Sequence, residues 1–255
     1  MNNSNFYALV QSGFPSDEEA VFLEHERGIL KYSELDAVTG KILTLFEQLG
    51  VIKGARVIAQ VDKSPEAIVL YLACLRAGVI YIPLNTAYTH DEVSYFVEDA
   101  EPTLIVCAPE QAEPVSLIAS KFDVLLVLTL DASGEGSLAD KCEHLPVYPQ
   151  IEHCDVDDLA CILYTSGTTG RAKGAMLSHG NLSSNAIALN ACWQWRDDDV
   201  LLHALPIFHV HGLIISLHCA LLKGTRVIYL SKFDLELIKR ELPRATVMMG
   251  VPTYY

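Results

Sequence analysis

Residues 165–173 read TSGTTGRAK: four hydroxyl side chains, glycines at 167 and 170 and two cations, with Gly174 directly after. Glycine allows positive φ and close backbone approach, so successive N–H groups can converge on one concavity. Thr165, Ser166, Thr168 and Thr169 add hydroxyl donors, and Lys173 adds a mobile point charge. Such a set suits phosphate oxygens. A water-exposed Gly/Thr turn is the plain alternative, and the density of donors beside Lys173 weighs against it. A P-loop phosphotransferase needs Gly, four residues, then Gly-Lys-Ser/Thr. Here Ala172 precedes Lys173 and Gly174 follows it, so that pattern fails.

The elements around this loop alternate between strand-like apolar runs and amphipathic helical patterns. VFLEH and ILKYS flank ERG and predict a hairpin over residues 21–33. Ser33 with Asp36 suggests a capping box, followed by Leu35, Val38, Ile42, Leu45 and Leu49 at helical spacing up to Gly50. RVIAQV predicts a strand, and Ser64-Pro65 opens a helix that stops at Gly78. VIYIPL predicts the next strand, and Thr89 with Glu92 caps another helix. TLIVC, VLLVL and LACILY are short continuous apolar runs, as parallel strands covered on both faces require. LACILY delivers the chain to Thr165, and ligands of α/β sheets bind beyond the carboxyl ends of strands. The fold class expected is α/β with mainly parallel sheets. Residues 131–157 predict a long surface connection, and ATVMMGVPTYY a buried strand followed by a turn. No internal repeat is found.

Bulk properties narrow the function classes. A chain of 255 residues that is 51% hydrophobic can bury a large core. A formal net charge of −14 argues against non-specific nucleic-acid binding, though not against one small anion in a local amide-lined pocket. Seven cysteines without a Cys-x-x-Cys pair read as reduced, mostly buried thiols. Cys142, His144, His153 and Cys154 lack the spacing of a zinc module, and the Asp155, Asp157, Asp158 and Asp197–Asp199 clusters read as solvated boundaries. The N-terminus lacks the basic and apolar regions of a signal peptide, and no run reaches a membrane span. A cytoplasmic protein is expected.

YTSGTTGRAKGAMLSHGNL closely resembles the phosphate-binding signature of the AMP-forming acyl-CoA synthetases, a superfamily shared with luciferases and peptide-synthetase adenylation domains. That signature usually has Pro where Ala172 stands. A second family motif resembles HALPIFHVHGL, residues 203–213, and a third begins as MGVPTYY. The resemblance covers essentially the whole chain. Within the superfamily, the segments from KSPEAIVLYLACLRAG to EDAEPTLIVC, with LPIFHVHG and RATVMMGVPTYY, look most like malonyl-CoA synthetases.

The resemblance implies a two-step ligase reaction using ATP, Mg²⁺ and coenzyme A. A carboxylate, malonate by this likeness, would take AMP from ATP, and the CoA thiol would then displace AMP. Thr165, Ser166, Gly167, Thr168, Thr169, Gly170 and Lys173 would hold the phosphates, with Thr168 or Thr169 toward the metal. His209 would position the acyl carboxylate, and Gly250, Val251 and Pro252 would wall the substrate and adenine. His209 and His211 would share a face of an extended segment, yet a metal site would need a third ligand. Two interleaved α/β subdomains are implied, one over about residues 56–193, the other joining about 1–55 to 196–255. The family's remaining groups, a Glu for Mg²⁺, an Asp for ribose and a small C-terminal domain with the catalytic Lys, are expected beyond Tyr255. The chain is accordingly expected to be a partial N-terminal adenylation domain, inactive alone. The alternatives are a ligase for acetate, a fatty acid or an aryl acid, and a non-catalytic nucleotide-binding chain.

Overall fold

The computed structural model describes residues 3–165 and 171–254. The chain divides into two compact units, Met1–Asn5 with Asp36–His179, and Phe6–Leu35 with Gly180–Tyr255. The sheets fall into the same division.

In the second unit a short helix, Phe6–Gln11, precedes strands β1 (Val21–His25) and β2 (Gly28–Lys31), an antiparallel hairpin as expected. The following helix, Tyr32–Leu49, begins before Ser33. Its entry is closed by Glu34, which accepts the Lys31 backbone N–H at 2.8 Å, while the Ser33 hydroxyl donates to the Glu18 carbonyl. The capping box read at Ser33 and Asp36 is therefore corrected: Glu34, three residues after Lys31, supplies the reciprocal half of such a box from an earlier start.

The first unit is built on β3 (Arg56–Gln60), β4 (Ile80–Pro83), β5 (Leu104–Cys107), β6 (Leu126–Thr129), β7 (Leu159–Thr165) and β8 (Lys173–Ser178). Their order is β6-β5-β3-β4-β7-β8, parallel throughout except for the antiparallel β7–β8 pair. Every residue of β4 and β5 is buried, as the unbroken apolar runs require. Helix Pro65–Arg76 starts at Ser64, whose side chain accepts the Ala67 N–H, and helix His90–Ala100 carries the complete Thr89/Glu92 capping box. The core beneath helix His90–Ala100 gathers Ile58, Ile82, Phe96, Val97, Ile105 and Ile162.

Residues 131–157 are tied down rather than loose. The Arg76 guanidinium, 2% exposed, donates to the carbonyls of Tyr148, Pro149 and Gln150 and also to Asp36 O and Thr39 Oγ1. One buried cation thus binds this segment to helix Tyr32–Leu49. These bonds also explain why most of that helix belongs to the first unit, although it was expected with the second.

The chain then completes the second unit with β9 (Val200–His203), β10 (Arg226–Tyr229) and β11 (Val247–Met248). The sheet order is β11-β9-β10-β1-β2, parallel except for the hairpin. Helix His179–Trp193 lies on this side of the division, where Asn190 Nδ2 reaches Ala186 O and Cys219 O. The seams fall at 35/36 and 179/180, not near 55 and 193. The terminal strand is shorter and less buried than expected: β11 has two half-buried residues with one neighbour, β9, and Pro252–Tyr254 turns as a 3-10 helix. Among the described residues no helix is long and apolar enough to cross a membrane.

Candidate active site

The phosphate-type loop is the connection of a β-hairpin. Thr165 ends β7, Lys173 begins β8, and the two are Cα partners in the antiparallel register. Directly opposed residues project to the same face, so the Thr165 hydroxyl and the Lys173 ammonium share one side of the hairpin mouth. Both are exposed. The next pair, Tyr164 and Gly174, belongs to the opposite face. There a cavity of about 300 Å³ is lined by Arg56, Asp99, Glu101, Tyr164, Gly174 and Met176. A Cβ at Gly174 would press on Ile162 Cγ2 at 2.8 Å, so this position needs its glycine for packing.

The hairpin mouth is braced by helix His90–Ala100. Tyr164 Oη donates to Asp99 Oδ2 at 2.6 Å, and the Tyr164 ring sits 4.5 Å from Phe96. Burial, reinforced by the Asp99 carboxylate, raises the Tyr164 pKa, so the phenol keeps its proton as donor. Tyr95 Oη donates to the Ala172 carbonyl at 2.7 Å, and the Arg171 guanidinium lies 5.2 Å from the Tyr95 ring centroid. The two residues before Lys173 are thus held by one tyrosine. Sequence reasoning missed Tyr95 and Asp99, since each lies more than sixty positions from its partner. Ser166, Gly167, Thr168, Thr169 and Gly170 lie outside the described residues.

The remaining candidates belong to the second unit, where His209 follows β9 and Gly250 follows β11. These strands are parallel neighbours, Leu201 opposite Val247 and Leu202 opposite Met248, so both candidates leave the carboxyl edge of one sheet. The His209 carbonyl accepts the Leu213 N–H at 3.0 Å, which fixes its backbone. Its imidazole packs 4.5 Å from Phe208, and partial burial lowers its pKa, so it is neutral at pH 7. The segment is not extended: residues 207–209 turn, and His211–Ser216 wind as a π-helix, a form frequent at functional positions. His209 and His211 accordingly do not alternate along a strand. Gly250 is half-buried, Val251 and Pro252 are exposed, and the Val251 carbonyl accepts the Tyr254 N–H.

The donor chemistry at the hairpin mouth fits a polyphosphate. A hydroxyl and an ammonium lie on one face beyond a parallel strand, on a backbone braced by tyrosines. Among the described residues no group of three His, Cys, Asp or Glu side chains could hold a metal ion.

Comparison with known proteins places these features in context. The profile of the AMP-binding enzyme family matches residues 10–255. MatB from Rhodopseudomonas palustris, solved in apo and ATP-bound forms, is 45% identical, with a TM-score of 0.95 over 100% of this chain and 50% of its own. The mitochondrial malonate–CoA ligase ACSF3 of Bos taurus is 32% identical over 81% of this chain and 35% of its own length. A feruloyl-CoA synthase of Amycolatopsis sp. is 32% identical over 92% of this chain and 46% of its own. The chain therefore spans about half the length of MatB, and less than that of the two ligases.

Proposed function

The chain belongs to the AMP-binding enzyme family, and on that premise we propose that it contributes the phosphate- and acyl-binding half of a malonate–CoA ligase. The observation that carries this reading is the pairing of Thr165 with Lys173 at the mouth of the braced hairpin. The 45% identity to MatB along the whole chain and the malonate–CoA ligase relatives support malonate as the acid.

The chemistry follows from leaving groups. Oxide cannot leave a carboxylate, whereas AMP can. A malonate carboxylate oxygen attacks the α-phosphorus of ATP, the bond to the β-phosphate oxygen breaks, and pyrophosphate departs with the electron pair. The sulfur of CoA then attacks the acyl carbon and AMP leaves. Lys173 meets charge that grows on the departing phosphates, with Thr165 on the same face of the hairpin mouth. By the family resemblance Ser166, Gly167, Thr168, Thr169 and Gly170, which lie outside the described residues, would add amide and hydroxyl donors. Thr168 or Thr169 would hold the Mg²⁺ of Mg–ATP, which would share the charge developing on the phosphates. Neutral His209 orients the acyl carboxylate by donating a hydrogen bond, and Gly250, Val251 and Pro252 form the wall beside the substrate.

Malonate-dependent exchange of pyrophosphate into ATP by the full-length protein tests this reading. Exchange that requires malonate supports it, and none with any acid would overturn it in favour of a nucleotide-binding protein without ligase activity. The feruloyl-CoA synthase relatives favour an aryl acid as the second reading. Exchange with ferulate and not malonate would establish that one.

A further inference from the structure

We propose that His203 is a positioning residue that fixes the loop carrying His209. The inference rests on the reading that His209 orients the acyl substrate, and it concerns contacts within the second unit alone.

His203 ends β9 and is 1% exposed. Its Cα partner is Tyr229 on β10, and their rings stack with centroids 5.4 Å apart and 13° between planes. Its Nε2 lies 2.9 Å from the Gly212 carbonyl oxygen. A carbonyl only accepts, so Nε2 carries the proton and donates. Ser216 Oγ reaches the same oxygen at 2.8 Å and the His211 carbonyl at 3.0 Å, so one hydroxyl proton is shared between them. Two side chains thus converge on the Gly212 carbonyl oxygen.

The loop closes at the same point by packing. A Cβ at Gly212 would collide with the Pro206 carbonyl oxygen and press on Leu205 Cβ at 3.2 Å. Residues 203 and 212 are thus the neck of a closed loop, tied by one imidazole bond and one tight backbone contact. His209 lies within that loop, its carbonyl taken by Leu213 and its ring, though packed against Phe208, only partly buried. A leucine at 203 could fill the space beside Tyr229. Only a donor reaching as far as Nε2 can also hold the Gly212 carbonyl.

The test uses the full-length protein with His203→Leu, His203→Gln, Ser216→Ala and His209→Ala, reading kcat and the separate KM values for malonate and ATP in the exchange assay, together with Tm. His203→Leu should raise the malonate KM about tenfold and leave the ATP KM within about twofold. His203→Gln keeps an N–H donor at comparable reach and should recover most of that loss. Ser216→Ala should shift the malonate KM in the same direction by a smaller factor.

Equal impairment by Leu and Gln, a parallel rise in both KM values, or no change in His203→Leu would each overturn the proposal. Should His203→Leu fail to fold, an unchanged malonate KM in Ser216→Ala overturns it equally. His209→Ala separates the premise from the inference. An unchanged malonate KM there defeats the reading of His209 and this proposal with it. A raised one beside an unaffected His203→Leu defeats the proposal alone.

Discussion

Lys173 and Arg76 are both cations, and their surroundings give them opposite duties. Lys173 stands exposed at a hairpin mouth, and no described carboxylate pairs with it. Its charge is available to a ligand. Replacing it with Ala should remove a charge-assisted contact and weaken Mg–ATP binding by about 1.5–3 kcal/mol, with little change in thermal stability. Isothermal titration with Mg–ATP measures this, and unchanged affinity would remove Lys173 from the site. Arg76 is spent internally on five oxygens of the chain. Arg76→Met would remove the buried guanidinium that ties the part-buried carbonyls of residues 148–150 to the helix and should cost about 1.5–3 kcal/mol in urea unfolding. A loss under about 1 kcal/mol would show that water replaces the guanidinium. Lys173 was legible in the sequence because its neighbours are glycines and hydroxyls. Arg76 was not, because an arginine near a helix end gives no sign of carbonyls seventy residues away.

Elements were legible where a local rule decided them. The Ser64 cap, the Thr89/Glu92 box and the buried runs of β4 and β5 follow from spacing alone. Strand β8 did not, because it is an edge strand with Ala175 and Met176 exposed and Gly174 within it, so no alternation survives. Once β8 is seen, the glycine-rich loop becomes a hairpin connection whose base is fixed by register. The π-helix His211–Ser216 was equally hidden, since nothing in its own six residues tells that Gly212 packs against the Pro206 carbonyl. Gly212→Ala tests that contact: backbone stands where the methyl would go, so overpacking should cost about 1–3 kcal/mol. Chemical denaturation reads the cost, and a neutral substitution would mean that the turn yields freely. Three candidates, Gly250, Val251 and Pro252, were placed by motif alone. The structure puts them after the parallel neighbour of the strand that leads to His209.

The whole molecule is acidic, with a net charge of −14, and the burial of His218 and His179 should make its stability fall in acid. His218 packs 4.3 Å from Phe6, and burial lowers its pKa to about 3. Burial likewise lowers that of His179 to about 4. An unfolded imidazole titrates near 6.5, so between these values the unfolded chain binds protons that the folded chain refuses. Stability is therefore full above about pH 6.5 and falls as pH drops toward the folded values. Between pH 6.5 and 5 each histidine should cost about 2 kcal/mol. Urea unfolding at the two pH values checks this, and His218→Leu should flatten part of the slope. An unaltered slope in that variant would place the acid sensitivity elsewhere.

At this scale the α/β class was legible from the alternation of strand-like runs and helical patterns, and the family from three different motifs in order along the chain. The division into units was less so, since its seams depend on bonds such as those of Arg76 and Asn190. The most direct test of the account is ATP–pyrophosphate exchange by the full-length protein with malonate, acetate, a fatty acid and ferulate in parallel. Exchange should depend on malonate and be lost or strongly reduced in Lys173→Ala. Exchange with another acid in preference to malonate, or with none, would contradict it.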